Sequence, residues 1–441
     1  MTIMKKQFFL ILLLMSAVSI TFAGKKIQFT EYTLANGLHV ILHQDNTAPI
    51  VAIGITYHVG SKNEVAERTG FAHYMEHLMF EGSKNIGRGD FFKLAQDAGG
   101  EINAYTSHDK TFYHMLLPSN QLEMGLWMES ERLLHLVIDE EGVETQRRVI
   151  KEERSQMYDN RPYGSLMEDM FSRAYSKHPY NWLPIGSVQY IDQATLEEFI
   201  DFHSTYYVPN NAVLSIAGDI NIEQTKKLVE LYFGDIPKGT KPIFRPEPNE
   251  PALGKEVRDT IYDPNIQLPA VIQAYRIPEV SNDDFYALDM LTTLLSAGQS
   301  SRMHKAVVDE KQKALVVQSV PFQLEHPGLF LVLGIVNMGV EPGVLEEAIN
   351  AEIEKVQLQG LTDSELQKLK NNKESSAVYS YASLERLVDN LANYHIMHGN
   401  TNLINTEIDK YMKVTKEDII RVAKQYLTPE NRVVLYYLPK R

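Results

Sequence analysis

Cysteine is absent from all 441 residues. That excludes disulfides, thiolate nucleophiles, thiolate metal ligands and lipid attachment at a cysteine. Positive charge is the minority sign: 43 lysines and arginines face 57 aspartates and glutamates, a formal net charge of −14. Nucleic acid and anionic membrane surfaces are therefore poor partners, and neutral or basic peptides better ones. Beyond the N-terminus there is no apolar run long enough to span a bilayer. What remains, 44% hydrophobic and 23% charged, is an ordinary globular composition with length for two or three domains.

The N-terminus has a different character. Lys5 and Lys6 precede the apolar run Phe8 to Met15, and Thr21-Phe22-Ala23 offers a small-x-small cleavage site. Residues 1–23 read as a secretory signal, cut between Ala23 and Gly24. A retained anchor is the rival, although the run is short for a span. The expected location is the periplasm or the exterior, with no membrane attachment after cleavage. Losing Lys5 and Lys6 moves the formal charge from −14 to about −16. An exported chain without disulfides must rely on its cores.

The stretch Gly70-Phe71-Ala72-His73-Tyr74-Met75-Glu76-His77-Leu78-Met79-Phe80-Glu81-Gly82 organises the rest. It reads as a helix ended by a left-handed cap at Gly82. At 100° per residue, His73, Glu76 and His77 share one face, and their companions are nearly all apolar. Burying two imidazoles and a carboxylate without partners costs several kcal/mol. A divalent metal held by the histidines is the simplest compensation. Two His at i and i+4 can converge on one zinc, and Glu76 can reach a water there; H-x-x-E-H is the inverted zinc-protease motif. The pentapeptide alone also fits a core helix with two hydrogen-bonded histidines.

Strand and helix patterns mix without strict alternation, which points to an α+β fold of mainly antiparallel sheets with helices packed on them. Asn36-Gly37 marks a hairpin between Ile27–Tyr32 and Leu38–His43. The second half repeats the first at an offset of 220: Thr195, Tyr206, Pro209, Asn211 and Val213 match Thr415, Tyr426, Pro429, Asn431 and Val433, and Pro49 and Val51 match Pro269 and Val271. This implies two homologous repeats. The expected division is an N-terminal zinc-binding catalytic domain over 24–236, a proline-rich linker over 237–256 that contains Pro237 to Pro251, and a homologous domain without a metal site over 257–441. The second copy has no His-x-x-Glu-His.

A catalytic zinc needs a third protein ligand and one open position. In the helix from Gln146 to Met157, Glu153 shares a stripe with Gln146, Val149, Ile150 and Met157, whereas Glu152 lies beside Arg148, Lys151, Ser155 and Gln156. Glu153 is the inward carboxylate. A separate pair, His395 and His398 before Gly399, reads as imidazoles favoured by a helix C-terminus rather than as a second metal site.

These motifs resemble the pitrilysin family of zinc peptidases, which includes insulin-degrading enzyme and the mitochondrial processing peptidase. That family carries H-x-x-E-H and a glutamate ligand about 76 residues on, in a V-I-x-x-E context; here Val149-Ile150-Lys151-Glu152-Glu153 puts Glu153 76 residues after His77. The family's G-G-x-x-N-A-x-T-S appears as Gly99 to Ser107, its N-x-V-L…G-D as Asn211 to Asp219, and its S-S-R as Ser300-Ser301-Arg302. The resemblance covers nearly the whole mature chain. One position departs: many active members have a glutamate seven residues before the third ligand, where this chain has Gln146.

The resemblance implies a zinc endopeptidase with one Zn²⁺ per chain on His73, His77 and Glu153, and Glu76 as general base and acid. It implies that the strand holding Asn103, Ala104 and Tyr105 pairs with peptide substrate, with Asn103 holding its backbone. Short two-repeat members assemble as dimers that enclose a chamber. The family's substrate-holding arginine and tyrosine follow S-S-R, yet Val308 and Leu315 or Val316 stand there. That implies the catalytic half of a two-subunit enzyme, whose related partner supplies the Arg/Tyr clamp; a homodimer is the other arrangement. The alternative function is a peptide-binding or structural assembly subunit with little hydrolysis.

Overall fold

Alternating apolar segments pair into two sheets in the computed structural model, which describes residues 26–440. The expected signal, residues 1–23, lies outside the described residues. The first sheet contains β1 (Thr30–Thr33), β2 (His39–Gln44), β3 (Ile50–Tyr57), β4 (Glu101–Thr106), β5 (Thr111–Pro118) and β6 (Ala212–Gly218), in the order β1-β2-β6-β3-β5-β4. The second contains β7 (Val257–Asp263), β8 (Ala270–Ile277), β9 (Ala314–Phe322), β10 (Gly328–Val336) and β11 (Arg432–Pro439), in the order β7-β11-β8-β10-β9. Each sheet is antiparallel except for one parallel pair, β2 with β6 and β7 with β11. Residues 237–256 between the sheets contain neither helix nor strand.

The duplication extends to individual bonds. β3 and β8 keep the offset of 220, as do the helices Leu196–Tyr206 and Lys416–Tyr426. Thr195 with Glu198, and Thr415 with Asp418, build the same reciprocal cap at the helix start. Asn211 then donates to Tyr206 O, and Asn431 to Tyr426 O, both at 2.8 Å.

Four helices position the functional groups and join the repeats: α1 (Phe71–Leu78), α2 (Glu140–Arg154), α3 (Leu166–Ala174) and α4 (Leu384–His398). α1 and α2 pack together on one side of the first sheet, over Val51, Ile53, Ile55 and Tyr57. The other side is covered by the second repeat: Leu387, Val388, Leu391 and Ala392 of α4 bury Ile41, Ala52, Phe112, Val213 and Ala217. Gly54 permits this close approach, because a Cβ there would lie 2.7 Å from the Phe112 ring and 3.1 Å from Val388. The exchange is reciprocal. α3 of the first repeat packs on β8 and β11, where Tyr437 donates to Asp169 at 2.6 Å and Arg276 Nε donates to Ala174 O at 2.7 Å. Each repeat thus covers part of the other's sheet.

Polar groups tie the same junction. Glu325, in the turn between β9 and β10, accepts from His58 Nε2 at 2.6 Å and pairs with the buried Lys62. Lys62 also donates to Asp109 at 2.9 Å. Among the described residues, no helix is long and apolar enough to cross a membrane.

Candidate metal centre

α1 begins at Gly70, whose φ of +97° favours a residue without Cβ, and its opening N–H groups face an internal acceptor. Glu64 reaches in from the preceding loop: its carboxylate accepts from Gly70 N at 2.9 Å, Ala72 N at 2.8 Å and Trp182 Nε1 at 3.0 Å. Glu64 is buried, so the helix start is held from within the fold. The other end corrects the sequence expectation. The helix stops at Leu78, and Phe80 and Glu81 turn it through N–H bonds to His77 O and Leu78 O at 3.0 Å. Gly82 comes next with φ of +147°, outside the left-handed helical cap, where a Cβ would lie 2.9 Å from Ile86 O.

One turn of α1 and the last turn of α2 bring the expected donors together. His73 Nε2 lies 3.6 Å from Glu153 Oε1, and His77 Nε2 lies 3.3 Å from Glu153 Oε2. One donor atom from each of the three lies within 4.8 Å of the others. Glu152 instead points outward and accepts from Gln156 at 2.6 Å. The stripe used to choose between the two glutamates is narrower than expected. Ile150 is fully buried, but Val149 and Met157 are 45% and 49% exposed, because the helix lies at the surface of the repeat.

The electrostatics of the three groups are coupled. Burial, and then the neighbouring His77, push His73 down to about 4, so its imidazole is neutral. Burial also pulls His77 down, but Glu153 and Glu76 outweigh it and leave it raised. The His77 hydrogen bond holds the Glu153 carboxyl below its ordinary value. Two imidazole nitrogens and one carboxylate, half-buried and mutually in reach, are the donor set of a three-ligand zinc site with an open position.

His77 is oriented from behind. Its Nδ1 lies 3.0 Å from Gln146 Oε1, and the Gln146 amide nitrogen donates to Glu81. Arg88 then joins Glu81 to Asp139. This order assigns the proton to Nδ1 of His77 and leaves Nε2 to face Glu153. The carboxamide therefore does what a carboxylate at 146 would do poorly, since Glu81 already stands beside it. Glu81 carried no signal in the sequence.

Glu76 sits next to these donors without being one of them. Thr106 of β4 donates to its Oε2 at 2.5 Å, and burial pushes its carboxyl up against that bond. β4 is an edge strand, paired only with β5. Its residues alternate, so Ile102, Ala104 and Thr106 share the side of α1, while Asn103 and Tyr105 share the other. Asn103 Oδ1 accepts from Ala104 N at 2.8 Å, occupying a backbone donor. The Tyr105 hydroxyl donates to Asp389 of α4 at 2.8 Å, and Lys110 donates to the same carboxylate at 2.5 Å. The structure thus places Ala104 beside the metal helix and turns the Asn103 and Tyr105 side chains away from it.

After S-S-R, Arg302 is engaged in a bidentate pair with Glu365 at 2.8 and 2.9 Å and also donates to Gly360 O. Val308 lies in an irregular helical turn, and Leu315 and Val316 lie on β9.

Two sheets of matching topology, with the His73/His77/Glu153 cluster contained in the first repeat, define the chain as a two-repeat α+β protein of the metallopeptidase kind. Comparison with known proteins makes the class specific. Residues 39–182 match the family model "Insulinase (Peptidase family M16)", and residues 193–373 match "Peptidase M16 inactive domain". The chain belongs to peptidase family M16. It is 31% identical over 409 residues to the zinc protease PqqE of Helicobacter pylori, covering 92% of each chain. It is 24% identical to the uncharacterized zinc protease YmxG of Bacillus subtilis, covering 92% of this chain and 97% of that one. A crystal structure of a protease from Helicobacter pylori superposes with a TM-score of 0.90 at 30% identity, over 94% of this chain and all of that one. The periplasmic protease PqqL of Escherichia coli shares the fold at a TM-score of 0.76 and 18% identity, with 48% of its length covered.

Proposed function

We propose that this chain is an exported zinc-dependent endopeptidase that hydrolyses peptides or small unfolded polypeptides within an enclosed chamber. The observation that carries this reading is the convergence of His73, His77 and Glu153 with Glu76 beside them. A zinc ion held by those three residues, one per chain, would supply Lewis-acid polarisation of a scissile carbonyl and activation of water. Glu76 takes the proton on Oε1, since Thr106 already engages Oε2, and returns it to the leaving amine. Gln146 keeps the His77 proton on Nδ1 throughout.

Peptide would add to β4 as a further strand, its backbone meeting the free edge at Ala104. Asn103 must then release the Ala104 N–H and turn to the incoming backbone. Specificity falls to chamber size more than to side chains. The chamber needs a second chain, and the missing Arg/Tyr pair around Val308, Leu315 and Val316 favours a related subunit that brings it. The relatives' names as zinc proteases, and the description of PqqL as periplasmic, agree with this assignment.

The test is turnover of a quenched peptide by the purified chain, with and without chelator, and after zinc is restored. Slow zinc-dependent cleavage by the chain alone, accelerated by a sister chain with the Arg/Tyr pair, is expected. Chelator-resistant cleavage, or none with any partner, would overturn the peptidase reading. Full-speed cleavage by a monomer or homodimer would overturn the two-subunit reading alone.

A further inference from the structure

His395 lies in the last turn of α4, three residues before His398. In the fold it meets the first repeat. Its ring stacks on His39 of β2, with centroids 3.6 Å apart and planes 14° apart. His39 Nε2 is in turn 3.3 Å from Glu31 Oε2 on β1. Thr33 pairs directly with His39 across the ladder, so Glu31 is its diagonal neighbour on the same face. One donor atom each from Glu31, His39 and His395 lies within 4.8 Å of the others. Among the described residues only one other group does this, the centre of His73, His77 and Glu153, and the donor types are the same.

We infer that Glu31, His39 and His395 form a second binding site, for a borderline divalent cation such as zinc, that joins the β1–β2 hairpin of the first repeat to α4 of the second. Its surroundings are arranged as those of a ligand set are. The Thr33 hydroxyl lies 3.1 Å from His39 Nδ1, and when it accepts there it holds the proton on Nδ1 and leaves Nε2 as the metal-facing atom. Thr401 donates to Glu31 Oε2 at 2.6 Å and fixes the carboxylate. Burial keeps both imidazoles below their ordinary range, so they are free bases near neutral pH. Glu31 is exposed and the two histidines are part-buried, so one side of the set opens to water. An ion must lie in the plane of each ring that binds it. Binding of one ion by both rings would therefore require the stacked pair to rotate out of its parallel arrangement.

This inference does not depend on the peptidase reading, and the experiment separates the two. The full-length chain carrying His73→Ala and His77→Ala is stripped with chelator, equilibrated with zinc alone and assayed for bound metal and thermal midpoint. It is expected to hold one zinc per chain and to melt higher with zinc than without. Adding His395→Asn, which keeps the helix surface polar, should remove both effects, as should His39→Ala. Wild type carrying only His395→Asn should keep one zinc and its peptide turnover at low zinc. The second site is overturned if the His73→Ala/His77→Ala chain holds no zinc, or if its zinc survives both His39→Ala and His395→Asn. Equal metal in wild type and the His73→Ala/His77→Ala chain would instead overturn the first metal centre, on which the peptidase reading rests, and leave the second site standing.

Discussion

Gln146 accepts the Nδ1–H of His77 at 3.0 Å while its amide nitrogen donates to Glu81. The amide is the group that serves a histidine N–H on one side and a carboxylate on the other without placing two negative charges together. Gln146→Ala should lower zinc affinity or turnover by about 10- to 100-fold, the usual cost of losing a partner behind a metal-binding histidine. Gln146→Glu should keep the fold and alter turnover, with the pH–rate profile displaced upward by the added charge beside Glu81. Unchanged zinc affinity and kinetics in both variants would show that the site does not feel position 146.

Glu76 and the three donors separate cleanly by metal content. Glu76→Gln should cut hydrolysis by about 10²- to 10⁴-fold while zinc stays near one per chain at low zinc. His73→Ala, His77→Ala and Glu153→Ala should each empty the centre, whereas Glu152→Ala should not. Zinc analysis beside peptide turnover checks all five. A zinc-loaded Glu153→Ala chain with a metal-free Glu152→Ala chain would reverse the choice of ligand.

Glu325 gives the junction of the repeats an acid dependence. Burial pushes its carboxyl up, but His58 and Lys62 outweigh burial and hold it at about 2, against 4.5 ordinarily. A carboxyl depressed in the folded state contributes stability above its unfolded value and loses it as pH falls toward the folded one. The contribution near neutral pH is on the order of 3 kcal/mol. Glu325→Gln should be less stable than wild type at pH 7, and the gap should close as pH falls from about 4.5 to about 2. Denaturant melts across that range measure it, and a gap independent of pH would exclude this linkage.

Gly54 supports the exchanged helix. A side chain there meets Phe112 at 2.7 Å and Val388 at 3.1 Å, so Gly54→Val should cost about 1–3 kcal/mol and loosen α4 from the first sheet. Thermal melts with amide exchange on β3 and α4 would show it. An unchanged midpoint would mean that the helix does not rest on this strand.

Much of the candidate site was legible because its signals are local. His73, Glu76 and His77 share a face through the 3.6-residue helical repeat alone, and Glu153 separates from Glu152 by the same phase. The ends of the duplicated repeats were legible because capping residues and turn prolines sit at fixed offsets. The helix end at Leu78 was not, since the tight turn through Glu81 competes with the glycine signal at 82.

What the sequence determined by itself was therefore the chemistry carried within single elements: a helix with two imidazoles and a carboxylate on one side, and a second helix offering one inward glutamate. The tertiary structure decided everything that joins distant segments. Glu81 meets Gln146 only when α1 and α2 pack together, and Tyr105 meets Asp389, Lys62 meets Glu325 and His39 meets His395 only after the two repeats have docked on each other. Such contacts arise from the packing of apolar faces that could each accept several partners, and that choice leaves no periodic mark along the chain.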